Sequence, residues 1–231
     1  MSEKNYIVAT TKPWNIKAYK KLSPSMPGKW HLIDIKENLT LEKIQKINPE
    51  YIFFPHWSWI VPEDIIKLYD CVCFHMADVP YGRGGSPLQN LIIRAHHKTK
   101  LSALKMVEEL DAGPVYLKKE LALEGRAVDI FKNMSELIYE MIEEIIEKKI
   151  TPQPQIGDAT IFKRRTPDMS LLPSKVTLKE LYDYIRMLDA PTYPHAFIEY
   201  GDFVMRFTEA EECDTKIFAK VEITKKENHG K

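Results

Sequence analysis

A chain of 231 residues with 33 basic and 33 acidic side chains carries no net formal charge. That balance argues against a protein that binds by neutralising many phosphates, and the length suits one substantial core plus a small second unit. The three cysteines, Cys71, Cys73 and Cys213, are odd in number, which argues against a disulfide framework and for a reducing, cytoplasmic setting. The apolar run Tyr6 to Thr10 reads as a buried strand and is too short for a secretory signal or a membrane span, so no membrane partner is expected. Trp14 to Leu22 suits a first helix, and Ser23 to Gly28 a Pro/Gly-rich turn. His31 to Ile35 is a second strand. Thr40 caps a helix that holds Lys43, Ile44 and Ile47 and ends by Pro49. Tyr51 to Phe54 is a third strand, and Pro62 opens a short helix. Cys71 to Phe74 is a fourth strand with His75 at its carboxyl end.

Strands alternating with helices imply a mostly parallel sheet, and in such sheets ligands gather beyond the carboxyl ends of the strands. Pro87 to His97 then reads as a helix. Thr99 to Val107 is ambiguous, because Ala103, Leu104, Lys105 and Met106 favour helix by propensity. Ala127 to Ile150 is the clearest helix, with Ile130, Met134, Leu137, Ile138, Met141, Ile142 and Ile145 in one apolar stripe. Two prolines, Pro152 and Pro154, end it. Residues 1–152 are expected to form one domain, 153–170 a linker, and 171–231 a small subdomain with a helix from Leu178 to Leu188 and a hairpin around Gly201.

The chemistry concentrates in Phe74-His75-Met76-Ala77-Asp78-Val79-Pro80-Tyr81-Gly82-Arg83-Gly84-Gly85-Ser86-Pro87 and in Leu110-Asp111-Ala112-Gly113-Pro114. Histidine is the side chain best suited to moving protons near neutral pH. Asp111, 36 positions after His75, can fix its tautomer or stabilise its charged form. Two Gly/Pro loops thus suggest one site. The glycine-rich run lacks the Gly-Lys-Ser/Thr ending of a phosphate loop. His75, His96 and His97 have no accompanying cysteine or carboxylate spacing that would make a metal site.

These segments resemble the folate-dependent formyltransferases, which share Asn-x-His-x-x-x-x-Pro-x-x-Arg-Gly-x-x-Pro followed by Thr-Gly-x-Thr and Leu-Asp-x-Gly. His75, Pro80, Arg83, Gly84 and Pro87 fall in register, as do Thr99, Ser102, Leu110, Asp111 and Gly113. His56 to Pro62 takes the place of the family's Ala-Tyr-Gly-x-Ile-x-Pro loop. Ile185 to Phe197 resembles its Ile-Arg-Ala-x-x-Pro-x-Tyr-Pro-Gly-Ala-Phe run, with His195 for the glycine. Cys73 stands where the family has asparagine.

The resemblance implies an α/β fold, with an open, mostly parallel twisted sheet, flanking helices and a Rossmann-like layout, plus a small α+β C-terminal subdomain. It also makes Thr99 to Val107 a strand, with Val115 to Leu117 as its antiparallel partner. It implies an enzyme whose formyl donor is 10-formyltetrahydrofolate. The pterin would lie between Trp57, Ser58, Trp59, Ile60 and Val61 and the stretch Val107 to Asp111, including Leu110. Trp57 and Trp59 have a core-packing alternative.

Formyl transfer to an amine passes through a tetrahedral oxyanion, which needs hydrogen-bond donors. His75 would polarise the formyl group and Asp111 would organise the proton transfer. Cys73 is a poor donor. Gln89, Asn90 or His56 could supply the missing one, and Cys73 itself is a nucleophile only beside a cationic neighbour. Arg83, with Gly84 and Tyr81, either meets an anionic part of the substrate or anchors its own loop. Thr99 and Ser102 are expected to brace the Asp111 loop. Lys163, Arg164 and Arg165 either bind phosphate or form a solvated strand end.

The segment from Leu171 holds nine Lys/Arg and eleven Asp/Glu, a net −2. On that ground tRNA and other nucleic acids are disfavoured as acceptors. An amino sugar, nucleotide-linked and belonging to surface-glycan biosynthesis, is expected instead. The alternatives are a methionyl-tRNA formyltransferase-like enzyme, a formyltetrahydrofolate hydrolase and a non-catalytic folate-binding relative. The strand Phe203 to Phe207 could pair with a second copy to give a homodimer, or cover its own domain.

Overall fold

The computed structural model describes residues 3–226. In chain order its strands are β1 (Asn5–Ala9), β2 (Lys29–Ile33), β3 (Tyr51–Pro55), β4 (Asp70–His75), β5 (Arg83–Gly84), β6 (Lys98–Lys105), β7 (Val115–Ala122), β8 (Ile161–Phe162), β9 (Ala196–Tyr200), β10 (Phe203–Cys213) and β11 (Lys216–Lys225). The α-helices are α1 (Pro13–Leu22), α2 (Leu41–Ile47), α3 (Glu63–Leu68), α4 (Pro87–Ile93), α5 (Ala127–Lys148) and α6 (Leu178–Arg186). Two compact units result. The first is built from the chain up to Pro87 with Thr99–Leu121 and Phe131–Phe162. The second takes Leu88–Lys98, Ala122–Ile130 and the chain from Lys163 onward.

The first unit holds a mixed sheet of strand order β2-β1-β3-β4-β6-β7. β1, β2, β3 and β4 run parallel to their neighbours, whereas β6 runs antiparallel to β4. Ile7, Val8, Ala9, Ile52 and Phe53 are fully buried. Such near-continuous apolar runs are what strands covered on both faces require. Asn15, fully buried, sits at the carboxyl ends of β1 and β3. Its amide nitrogen donates to Thr10 Oγ1 at 3.3 Å and to the Pro55 carbonyl at 3.1 Å, and its oxygen accepts from Ser135 of α5. This closes the polar requirements of that edge and ties α1 to α5.

Local signals explain most boundaries. Pro13 opens α1, and Thr40 Oγ1 accepts from the Lys43 amide to cap α2. Asn48, at φ 50°, closes α2 in the left-handed region. Two elements differ from expectation. β2 begins at Lys29 rather than His31, because its register pairs Lys29 with Asn5 and stacks Trp30 on Tyr6, ring centroids 4.7 Å apart. α4 stops at Ile93 rather than His97. Ala95 turns left-handed there, and the His96 amide bonds back to the Leu91 carbonyl. Lys98 to Lys105 is the strand that the resemblance implies and not the helix that propensity alone favours, since pairing with a buried neighbour outweighs a preference of a few tenths of a kcal/mol per residue.

The second unit contains a three-stranded sheet of order β11-β10-β9, antiparallel throughout. The hairpin at Gly201 joins β9 to β10, as expected, and a second hairpin adds β11. Phe203 to Phe207 is therefore the middle strand, paired on both sides. This corrects its assignment as an edge that a second chain could join; the outer strands of the sheet are β9 and β11.

Arg186, 3% exposed, donates to the Leu123 and Gly125 carbonyls at 2.7 and 2.9 Å and to Asp183 Oδ1 at 2.6 Å. Arg186→Met would leave the buried Asp183 with only the half-exposed Lys179, 3.9 Å away, as a cationic partner. It is expected to lower the unfolding free energy by about 3 kcal/mol, measured by urea denaturation.

Candidate active site

His75 ends β4, between β3 and β6, and is 6% exposed. Alternation along the strand gives Cys71, Cys73 and His75 a common face. Beyond His75 the chain turns through a cis Val79–Pro80 bond. Ser102, opposite His75 in the β4–β6 register, donates from its hydroxyl to the Ala77 carbonyl at 2.7 Å. Ser102 thus braces the histidine loop, not the Asp111 loop as expected. Lys118 donates to Asp78 Oδ1 and to the Val79 carbonyl at 2.6 and 2.5 Å. Burial would raise the Asp78 carboxyl, but hydrogen bonds from Lys118 and Lys100 outweigh it and hold the group below its ordinary value.

The following loop is pinned by backbone pairing. β5 lies parallel to β8, with the Arg83 amide donating to Thr160 O at 2.9 Å and the Gly85 amide to Phe162 O at 3.0 Å. Gly84 has φ 100°, and a Cβ there would stand 2.6 Å from the Phe162 carbonyl oxygen, so the pairing requires glycine.

The loop then offers two backbone groups to the site. The Gly82 carbonyl lies 2.7 Å from His75 Nε2, and the Gly84 amide donates to Asp111 Oδ2 at 2.9 Å. The same Oδ2 is 3.4 Å from His75 Nδ1. A carbonyl only accepts, so Nε2 carries a proton. Nδ1 faces a carboxylate oxygen that already takes a backbone N–H. Both ring nitrogens therefore face acceptors, an arrangement that an imidazolium–carboxylate pair satisfies. The Nε2 edge is taken by the Gly82 carbonyl, and the Nδ1 edge faces Asp111.

Asp111 reaches this position from a loop under constraint. Its own φ is 55°. At Gly113 a Cβ would lie 1.7 Å from the Lys105 carbonyl oxygen, so only glycine lets the chain pass so close to β6. Gln155, which the sequence reading missed, clamps the loop from outside. Its Nε2 donates to the Asp111 and Gly113 carbonyls at 2.7 and 2.8 Å. Its Oε1 accepts from Arg83 Nε and Nη2 at 3.1 and 2.9 Å. A glutamine in a Pro/Gln-rich stretch has no local pattern to mark it.

The other candidates are placed as follows. Burial first, and then the negative charge of Asp111, push the Cys73 thiol up; Cys71 is pushed up to about 12 by burial and Asp70. Cys73 faces an anion, not the cation a reactive thiolate needs. The Gln89 amide donates to the Met187 carbonyl at 3.0 Å and that of Asn90 to Lys163 O at 3.0 Å. Both are engaged within the second unit. Arg83 is held by Gln155 and by Glu109 at 3.3 Å, the loop-anchoring alternative. Tyr81 packs edge-on against Phe162. His56 sits against Trp14 and Phe131, and burial, helped by Lys12, lowers it to about 3, so it stays neutral.

Val61 is buried, Trp57 and Ser58 are half-buried, and Trp57 packs edge-on against Phe54 and Trp59. Trp59, Ile60, Val107 and Leu110 are exposed apolar side chains on the two loops expected to take the pterin. Among the described residues no three His, Cys, Asp or Glu side chains converge as metal ligands, and no helix is long and apolar enough to cross a membrane.

Comparison with known proteins adds three findings. The family described as "Methionyl-tRNA formyltransferase, C-terminal domain" matches residues 167–224. A methionyl-tRNA formyltransferase from Thermodesulfovibrio yellowstonii is 27% identical over 168 residues, 69% of this chain and 53% of that protein. The chain thus spans about half the length of that curated relative. Among solved structures, a methionyl-tRNA formyltransferase from Clostridium thermocellum is 48% identical with a TM-score of 0.94, covering 96% of this chain and 100% of that one. HypX from Aquifex aeolicus, solved in complex with tetrahydrofolic acid, covers 90% of this chain and 38% of that one at 17% identity and TM-score 0.75; it shares the fold.

These matches overturn the expected amino-sugar acceptor and the exclusion of tRNA. The exclusion rested on a net −2 for the C-terminal segment, which is the very segment the family match covers. A net charge does not say where charges lie. Asp183 is buried against Arg186, and Glu212 and Glu209 face Lys179 and Lys220. Titration of the native chain with a disulfide reagent at pH 8 is expected to give one fast-reacting thiol, exposed Cys213, and three thiols after unfolding.

Proposed function

Since the chain belongs to the formyltransferase family, we propose that it moves the formyl group of 10-formyltetrahydrofolate to the α-amine of methionyl-tRNA. The observation that carries the acceptor is the 48% identity to the Clostridium thermocellum methionyl-tRNA formyltransferase across that protein's whole chain. The C-terminal match to residues 167–224 supports it. Both substrates belong to the cytoplasm, the setting the free cysteines suggest.

In the reaction the acceptor nitrogen attacks the formyl carbon, giving a tetrahedral intermediate with an oxyanion. The bond from that carbon to N10 of the folate then breaks, N10 takes a proton, and the acceptor nitrogen loses one. His75, protonated at Nδ1, is the donor for the oxyanion, and Asp111 balances its charge and accepts the acceptor's proton. The Gly84 amide keeps the carboxylate oriented. Burial of His75 among β-strand neighbours strengthens these interactions by excluding water. A flat heterocycle fits the apolar side chains of Trp59, Ile60, Val107 and Leu110. The thiol of Cys73 supplies no strong donor, so the oxyanion depends more on His75 than it would beside an amide.

Tetrahydrofolate release is to be followed with charged methionyl-tRNA, free methionine and glycinamide ribonucleotide. Release only with methionyl-tRNA is expected; release without any amine would mean hydrolysis and would sink the acceptor. Asp111→Asn is expected to lower kcat by about 10²- to 10⁴-fold while folate affinity stays within about threefold, measured by steady-state kinetics and folate titration.

A further inference from the structure

We propose that Gln155 is the positioning residue that sets Asp111 against His75. It couples the Arg83 loop to the aspartate loop through a fully used side-chain amide. The inference rests on the reading of His75 and Asp111 as the reacting pair.

The chemistry of the partners determines the orientation of the amide. The Asp111 and Gly113 carbonyls can only accept, so the nitrogen faces them. The Arg83 guanidinium can only donate, so the oxygen faces it. Two N–H donors and two lone pairs are thereby all engaged, and no other uncharged side chain of this length offers that set. The clamp acts where the loop most needs it. Asp111 is in the left-handed region, which aspartate tolerates better than most residues but still holds more firmly when its neighbours fix it. Its carbonyl is bound by Gln155 and its carboxylate by the Gly84 amide, one residue from Arg83. Gln155 therefore holds both ends of the assembly that aims Oδ2 at the imidazole. The flanking Gln153 pairs with Val115 in both directions, which anchors this segment next to β7.

Gln155→Glu separates the two halves of the role. Its carboxylate would keep and strengthen the Arg83 contact but set oxygen against the two carbonyls. Gln155→Met removes the donors without adding charge, and serves should the glutamate variant fail to fold. Two readouts apply, kinetics of formyl transfer and the backbone amide resonance of Gly84 in isotopically labelled protein. The Gly84 resonance reports contact with Asp111 Oδ2 whether or not the acceptor is right.

The expected result is a kcat lower by about 100-fold with folate affinity within about threefold, and a Gly84 amide proton that shifts and loses exchange protection while β1 and β3 amides stay in place. A kcat within about threefold of the parent, or a Gly84 resonance unmoved in both variants, would overturn the proposal. An inactive parent protein with a displaced Gly84 resonance in the variants would sink the acceptor assignment while leaving Gln155 its positioning role.

Discussion

The antiparallel register of β6 against β4 decides where the His75 and Asp111 side chains can meet. It places Ser102 opposite His75 and Lys105 opposite Val72, so β6 ends beside the start of β4, away from the histidine. Asp111 follows β6 and must therefore be carried back. The absence of a side chain at Gly113 lets the chain turn tightly against Lys105, and the left-handed Asp111 completes the return. The rule that ligands gather beyond the carboxyl ends of parallel strands accounts for His75. It does not account for Asp111, whose strand points the other way.

What holds the returned loop is distributed over segments far apart in the chain. β5 and β8 contribute only two residues each, yet their pairing fixes the Gly82 carbonyl and the Gly84 amide that flank the His75–Asp111 pair. Residues that read as a linker, from Gln153 to Phe162, are hydrogen-bonded into the first unit at Val115, Pro80 and Gly85. The site thus has few groups left unassigned. His75 and Asp111 are directed at each other, Arg83 is spent on Gln155 and Glu109, and Cys73 is kept protonated by burial and by the aspartate. An array satisfied in this way costs little reorganisation when charge develops, which is how preorganised electrostatics accelerates acyl transfer.

The C-terminal segment shows the limit of summed charge as a guide to partners. Its acidic excess was read as unfavourable to nucleic acid, yet the segment matches the C-terminal domain of methionyl-tRNA formyltransferases. Acidic side chains placed in ion pairs or buried beside arginine, such as Asp183, count fully in a sum but contribute little to the field outside. The distribution of charge over a folded surface sets affinity for a polyanion, and composition does not contain it.

Periodicity and turn chemistry were enough to find β1, β3, β4, α1, α2 and α5, because buried strands, proline at a first turn and a threonine cap act within a few residues. The glycines and prolines around His75 and Asp111 marked the two loops for the same reason. Where the decisive contact lay outside that range, the sequence was silent or misleading. For Lys98 to Lys105 the local propensity pointed to helix, and only the resemblance to the family marked the strand that forms by pairing with β4. Ser102 was assigned to the wrong loop, and Gln155 was not seen, because each acts on a partner at least 25 positions away. By itself the sequence determined which side chains, His75 and Asp111 among them, are chemically able to hold and move a proton. Only the tertiary structure decided which of them face one another, since that depends on strand register and on loop returns that no local spacing encodes.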